Sequence, residues 1–451
     1  MWPPRRFAID WNDRSVGVAP PPGKDTKTVA KRNATPPPAP VRMQPPAWRT
    51  WLAIGATGFG GPAGQLAILH REVVDRRRWM TDEEFVAAAQ FCALLPGPEA
   101  QQLATYAGWR TGGLRGGLLA GTLFVLPGAA IVTAVAWLHA AGGDLPLVAA
   151  AFAGTRPAVV ALVVMAAWRL GRRAITSDTA TLICLLAAIA FACGASLPVV
   201  VAVAAAWGWL VPGSLTAARA AALAGTAAPA AQAGDVRRAW RVAAWFVAVW
   251  TLAYTAVRLL GPAGGRGASL AELFTQTTLL SFGGAYTVVP WALDEGVARG
   301  WLGPVERADA LAAGEATPGP LILVVTFIGF LAGWKSGTAN PALAGLEGAA
   351  VATLFAFIPS FAMVLALAPF VRSIMVARRP AAALAAVGAV VVAAIAVLSL
   401  TLARDAFLPA GRLDPLALAV AGVALVVLAR RRASAPLVVA AAAAVGALAA
   451  S

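Results

Sequence analysis

The sequence predicts an all-α polytopic membrane protein. It has two homologous halves arranged as an inverted-topology repeat, with glycine- and proline-broken membrane segments. Three observations predict this. Apolar residues make up 59% of the 451-residue chain and charged residues only 13%, against ~25% charged in soluble domains. Apolar runs of membrane-spanning length alternate with short polar loops. Four motifs occur twice, in the same order.

The composition excludes whole classes. So little charge cannot cover a soluble surface, which removes soluble enzymes, nucleic-acid binders and disulfide scaffolds. The net charge of +15 suits positive loops on one membrane face better than a nucleic-acid partner. Cys92, Cys184 and Cys193 lie in apolar runs without a CxxC pair and read as small core residues. His70 and His139 are far apart. No metal site, cofactor or histidine-based triad is expected, and no Walker A sequence marks ATP use.

The elements follow in order. Residues 1–47 hold 11 prolines, and nine Lys and Arg precede Trp51 against three Asp. No core can form there, so a disordered cytoplasmic tail is expected. It has no apolar h-region and is not a signal peptide; translation from Met43 is the alternative to Met1. The first membrane half spans 48–212, with apolar runs near 50–69, 85–110, 116–140, 147–169, 178–194 and 197–212. A linker over 213–268 carries one extra helix near 240–260. The second half spans 269–451, with runs near 269–293, 308–334, 345–371, 380–403, 414–430 and 433–450.

The repeat is explicit. Phe59-Gly60-Gly61 is answered by Phe282-Gly283-Gly284 at offset 223, Trp79 by Trp301 and Pro96-Gly97-Pro98 by Pro318-Gly319-Pro320 at offset 222, and Ala107-Gly108-Trp109-Arg110 by Ala332-Gly333-Trp334-Lys335 at offset 225. An even number of crossings per half plus one extra helix inverts the second half, a common transporter architecture. With the amino terminus inside and the broken segments turning back, 28 Lys and Arg lie inside and seven outside; with full crossings the split is 26 to nine. Orientation follows either way, and hairpin versus crossing stays open.

Three features carry chemistry. Gly58-Phe59-Gly60-Gly61-Pro62 and Ser281-Phe282-Gly283-Gly284 break helices inside membrane segments. Freed backbone groups there must be buried in protein or line a cavity, so a repeated break points to a midplane site. The plainer reading is close helix packing. Pro96-Gly97-Pro98-Glu99 and Thr317-Pro318-Gly319-Pro320 would leave half-helices whose amino termini suit an anion; the plainer reading is a kink. Third come the intramembrane ionisable residues Glu99, Glu315 and Arg156. Arg156 reads as an anion ligand or, aligned with Arg379 at offset 223, as an interface residue. Glu99 reads as a proton carrier or an arginine partner. Gln90, Gln101, Gln102, Thr105, Tyr106, Gln276 and Tyr286 are polar enough to line a path.

At these residues the sequence resembles the chromate ion transporter family. The resemblance rests on Phe59-Gly60-Gly61-Pro62, Arg76 to Trp79, the stretch Leu94 to Tyr106, Phe124-Val125-Leu126-Pro127-Gly128, Phe282-Gly283-Gly284-Ala285-Tyr286 and Gly314 to Ile322. It covers about residues 50–430 and resembles the family's long, duplicated members. It implies a secondary transporter exporting chromate across a bacterial inner membrane, with sulfate as a competing analogue. The glycine and proline motifs, with Gln102, would then line the substrate path. The Pro-rich tail is no part of that resemblance. A homo-oligomer is compatible with the sequence. The runner-up is a carrier of sulfate or another inorganic anion, and the remote alternative is an integral-membrane enzyme.

Overall fold

The computed structural model describes residues 47–143, 145–211, 233–260, 266–282, 284–370, 378–430 and 433–449. The Pro-rich tail, the loop of the linker and Gly283 lie outside the described residues. Among these residues the regular structure is entirely helical.

The first half runs α1 (Ala47–Thr57), α2 (Gly61–His70, continued by a π turn at Arg71–Arg76), α3 (Asp82–Leu94), α4 (Glu99–Gly142), α5 (Pro146–Ala174), α6 (Asp178–Ala192) and α7 (Leu197–Leu210). The linker supplies α8 (Ala233–Leu260). The second half runs α9 (Arg266–Leu279), a 3-10 turn at Ala285–Thr287, α10 (Val289–Ala298), α11 (Glu306–Ala316), a 3-10 turn at Leu321–Leu323, α12 (Val324–Trp334), α13 (Pro341–Leu367), α14 (Arg378–Phe407), α15 (Pro415–Ala429) and α16 (Ala435–Ala449). Local chemistry sets the starts. Thr81 and Glu84 form a reciprocal capping box on α3, and Ser177, Asn340 and Asp414 cap α6, α13 and α15. Proline opens α5, α7 and α13, where its missing N–H costs nothing.

Helix α4 is two arms folded at Gly112–Gly113, whose backbone leaves the helical region. The arms run antiparallel and nearly touch: a Cβ added to Gly108 would lie 2.4 Å from the Gly116 carbonyl and 2.5 Å from Ala120 Cβ. In the second half α12 and α13 are separate helices, and Gly329 stands at the same two distances from Gly348 O and Ala352 Cβ. The structural counterpart of Gly108 is therefore Gly329, at offset 221, while Arg110 and Lys335 keep offset 225. Four extra residues, about one helical turn, lengthen α12 between the two points.

The proline-glycine-proline segments are hairpin tips. Arg110 Nη2 lies 3.4 Å from Glu84 Oε1, joining the end of the first α4 arm to the start of α3. Lys335 Nζ lies 2.5 Å from Glu306 Oε2, joining the end of α12 to the start of α11. Each pair closes a hairpin at its base and settles the open question for these segments: they turn back. Arms of 11–13 residues reach ~16–20 Å, short of the ~30 Å thickness of a hydrocarbon core.

The halves embrace reciprocally. Helix α5 packs on α15 and α16 of the other half, and α14 packs on α6 and α7. Small residues permit both contacts: a Cβ on Gly446 would sit 2.7 Å from Gly154 Cα, and one on Gly208 2.7 Å from Ala383 Cα. Reciprocal pairing of this kind is the signature of a two-fold relation between the halves.

Close approach generates a prediction. Gly108→Val and Gly329→Val should each lower the thermal midpoint of the detergent-solubilised protein, from overpacking of ~1–3 kcal/mol. Gly422→Ala should not, since an added methyl there meets nothing within 4 Å. Differential scanning fluorimetry checks all three.

Candidate functional site

The site forms where the four breaks meet. At the first hairpin tip, the Gly97 amide donates to Ser281 O of the second half at 2.9 Å. At the second, the Gly319 amide donates to Gly58 O of the first half at 3.1 Å. Each tip thus pairs with the glycine break of the opposite half. Both tips need glycine: Gly97 has φ +128° and Gly319 φ +97°, where an L side chain is strained. A Cβ on Gly97 would also lie 2.4 Å from Gln102 Nε2 and 2.9 Å from Ser360 Oγ.

Polar side chains close the remaining groups. Gln65 Nε2 donates to Gly58 O at 3.2 Å and to Gly319 O at 2.5 Å, pinning the second tip to the first break. Gln101 donates to Thr105 Oγ1 at 3.0 Å and accepts from Ser360 Oγ at 2.7 Å. Gln102 Nε2 donates to Pro96 O at 2.7 Å. Gln102 Oε1 is fully buried and has no partner among the described residues, an arrangement that costs about 1–3 kcal/mol. The start of α4 has no side-chain cap, and neither has the turn at Leu321–Leu323.

Two prolines inside helices flank the cluster. Pro127 lies inside α4 and Pro359 inside α13. Gly128 packs against the second tip, its added Cβ falling 2.1 Å from Pro318 O, while Ser360 faces the first tip. Gln65 and Ser360 were missed in the sequence, and Gly128 was named there only in the motif Phe124 to Gly128 that carries the resemblance. The signals were there: Leu126-Pro127-Gly128 and Ile358-Pro359-Ser360 repeat at offset 232, and Gln65 is a lone amide in an apolar run.

The other expected residues spread out. Pro96, Pro98, Thr317, Pro318 and Pro320 are buried at the tips, whereas Phe59 and Gly60 are exposed beside buried Gly58. Phe282 and Gly284 sit at the second break, and Gly283 is outside the described residues. Glu99 is the first residue of α4 and partly exposed. Glu315, on the other side of its own tip, accepts a hydrogen bond from Tyr286. Gln90 and Gln276 sit on exposed faces.

Arg156 is placed elsewhere. Its fork donates to both oxygens of Asp309, at 3.0 and 3.1 Å, and Asp309 is fully buried. His139 lies 3.5 Å from Glu306 and 3.9 Å from Asp309. This network joins α4 and α5 of the first half to the base of the second hairpin. Of the two readings of Arg156, its geometry fits the interface one, because a bidentate carboxylate already occupies the guanidinium. Its sequence counterpart Arg379 has a side chain outside the described residues.

Removing one partner of such a pair leaves a buried charge, at about 3–5 kcal/mol. Arg156→Ala should therefore lower membrane abundance and thermal stability. Arg156→Met with Asp309→Leu should restore both, read by immunoblot and thermal shift of the purified variants. Gln65→Leu should cost about 1–3 kcal/mol by baring Gly319 O.

Residues 47–209 and 268–447 match the family described as chromate transporter. The chain is 32% identical to a chromate transport protein of Pseudomonas aeruginosa over 390 residues, 84% of each chain. It is 30% identical to a probable chromate transport protein of Synechococcus elongatus, over 71% of this chain and 74% of the relative. A chromate transport protein of Cupriavidus metallidurans is 28% identical, over 71% and 73%. No solved structure matches. The two matched regions coincide with the two halves whose breaks interlock, and the chain belongs to the chromate transporter family.

Proposed function

We propose that this protein is a secondary transporter that exports chromate from the cytoplasm and so confers chromate resistance. The observation that carries the reading is the reciprocal seating of the two hairpin tips on the glycine breaks, with uncapped amides at both tips. Such a centre offers oriented backbone donors to a small anion, and two hairpins entering from opposite faces provide two gates around it. No catalytic step is assigned to any residue. Family membership supports chromate as the transported ion.

Direction follows from charge. Bacterial interiors are negative, and one charge moving through 100 mV is worth ~2.3 kcal/mol. A dianion moving outward gains ~4.6 kcal/mol, over three decades of concentration. Uptake would need coupled cations. With the hairpins turning back, the base of the α3–α4 hairpin, rich in Arg71, Arg76, Arg77, Arg78, Arg110 and Arg115, lies on the cytoplasmic side with the amino terminus. The base of the α11–α12 hairpin lies on the outer face of the inner membrane.

The test is chromate accumulation in a chromate-sensitive bacterial host. The protein should lower accumulation, and Gly97→Leu or Gly319→Leu should abolish that effect at equal membrane abundance, because neither tip could seat. Higher accumulation relieved by sulfate would identify an importer of sulfate-like anions instead. Normal export by both variants would remove the tips from the path.

A further inference from the structure

We propose that Arg169 and Arg173, one turn apart near the cytoplasmic end of α5, form the site that first holds the oxyanion on its way to the hairpin tips. The inference rests on the transport reading above and names two binding residues which that reading leaves out.

Placement follows from the helix. Residues four apart share a helix face, so Arg169 and Arg173 look the same way. Near the outer end of α5, Arg156 grips Asp309 at the base of the second hairpin. His139, close to the end of α4, lies at that same base, so α5 starts on the outer side and runs inward, as α11 does. Glu315 is six residues beyond Asp309 and Arg169 thirteen beyond Arg156, rises of ~9 and ~20 Å. The backbone of Arg169 is therefore ~11 Å nearer the cytoplasm than that of Glu315. Helical side chains lean toward the amino terminus, here the outer end, so both guanidiniums reach back toward the tips. Helix α14 packs along this end of α5: a Cβ on Gly171 would lie 3.5 Å from Val392 Cγ1, and one on Gly388 3.6 Å from Ala174 Cβ. The same α14 packs on the turn at Ala285–Thr287, which carries Tyr286, bonded to Glu315.

Charge and exposure point the same way. Arg169 and Arg173 are exposed, and Glu99, Tyr286 and Glu315 are half-buried, so arginines and tip acids alike are open to the surface. Arg173 acts electrostatically on Glu99 of the first tip, and Arg169 on Glu315 and Tyr286 of the second. One helix face thus addresses both tips. Among the described residues the ion pair on α5 is that of Arg156, and neither Arg169 nor Arg173 has one. Arg169 Nη2 donates to Leu428 O of α15 at 3.4 Å, which uses one of its five donors. The acids balance the guanidiniums from a distance and leave their forks open. An open fork suits bidentate contact with a small oxyanion.

The arrangement is one-sided. Both arginines stand on the cytoplasmic side of the tip acids, so an anion arriving from the cytoplasm meets guanidinium first. The matching end of α14 differs. At offset 232, the spacing of Pro127 and Pro359, it carries Thr401 and Asp405 in place of Arg169 and Arg173. A pair of cations at the loading end raises the local concentration of a dilute anion, and an acid at the outer position does not retain it. The general bias toward positive inner loops treats Arg169, Arg172 and Arg173 alike. The proposed site does not, because Arg172 lies about 100° round the helix from Arg173.

The experiment is chromate loading into inside-out membrane vesicles that carry the full chain, so that the cytoplasmic face meets the medium. Arg169→Lys and Arg173→Lys keep the charge that orients the protein and remove the fork. Each should raise KM for chromate about tenfold, from lost charged hydrogen bonds, and leave kcat within about twofold. Arg172→Lys should change neither. A second measurement uses the unaltered protein: chromate should protect Arg169 and Arg173, and not Arg172, from phenylglyoxal applied at the cytoplasmic face, read by peptide mass spectrometry. This protection depends on no variant folding. A KM unmoved by both lysine variants, an equal rise from Arg172→Lys, a fall in kcat at constant KM, or equal modification with and without chromate each overturns the proposal. No chromate loading by the unaltered protein would instead remove the transport reading itself, a failure distinct from loading that ignores the two arginines.

Discussion

A backbone amide or carbonyl freed inside a bilayer has no water to turn to. This protein breaks its chain four times at membrane depth, and the rest of the architecture depends on how those groups are paired. The solution is exchange: the Gly97 amide meets Ser281 O and the Gly319 amide meets Gly58 O. Neither half completes itself. The duplication is therefore a structural requirement of the centre as well as a record of origin, and the long packing of α5 on α15 and α16, and of α14 on α6 and α7, holds the two partners in the register the exchange needs.

Upon this two-fold backbone the side chains are asymmetric. Gln65 bridges Gly58 and Gly319, while the residue 223 positions later is Val288. Arg156 grips Asp309 of the second hairpin, while the first hairpin has Ala87 at the position 222 earlier. Glu99 follows the first tip, and Glu315 precedes the second, bonded to Tyr286. The second hairpin is thus tied to the opposite half by an ion pair, and by a glutamine at its tip. The first is held by its backbone bond and Ser360. The two hairpins thus share a shape and differ in what fastens them.

The charges divide in kind. Those at hairpin bases, Glu84 with Arg110 and Glu306 with Lys335, close the hairpin ends where water and headgroups are near. The buried pair Arg156–Asp309 works where screening is weak, so breaking it costs far more than breaking a surface pair. An intramembrane arginine invites a substrate-binding role on insertion cost alone. Here that cost is met by one carboxylate, Asp309.

The sequence alone determined the membrane class, the helical content, the duplication and the segments that must break, because hydropathy, composition and the positions of glycine and proline are local properties. It also named most residues of the centre, since Gly58, Gly97, Ser281 and Gly319 carry their signal in motif and repeat. Only the tertiary structure decided which break meets which. Pairing across 184 residues from Gly97 to Ser281 and across 261 from Gly58 to Gly319 leaves no periodicity to read. The same holds for Arg156, whose partner 153 residues away turned a candidate ligand into a link between halves.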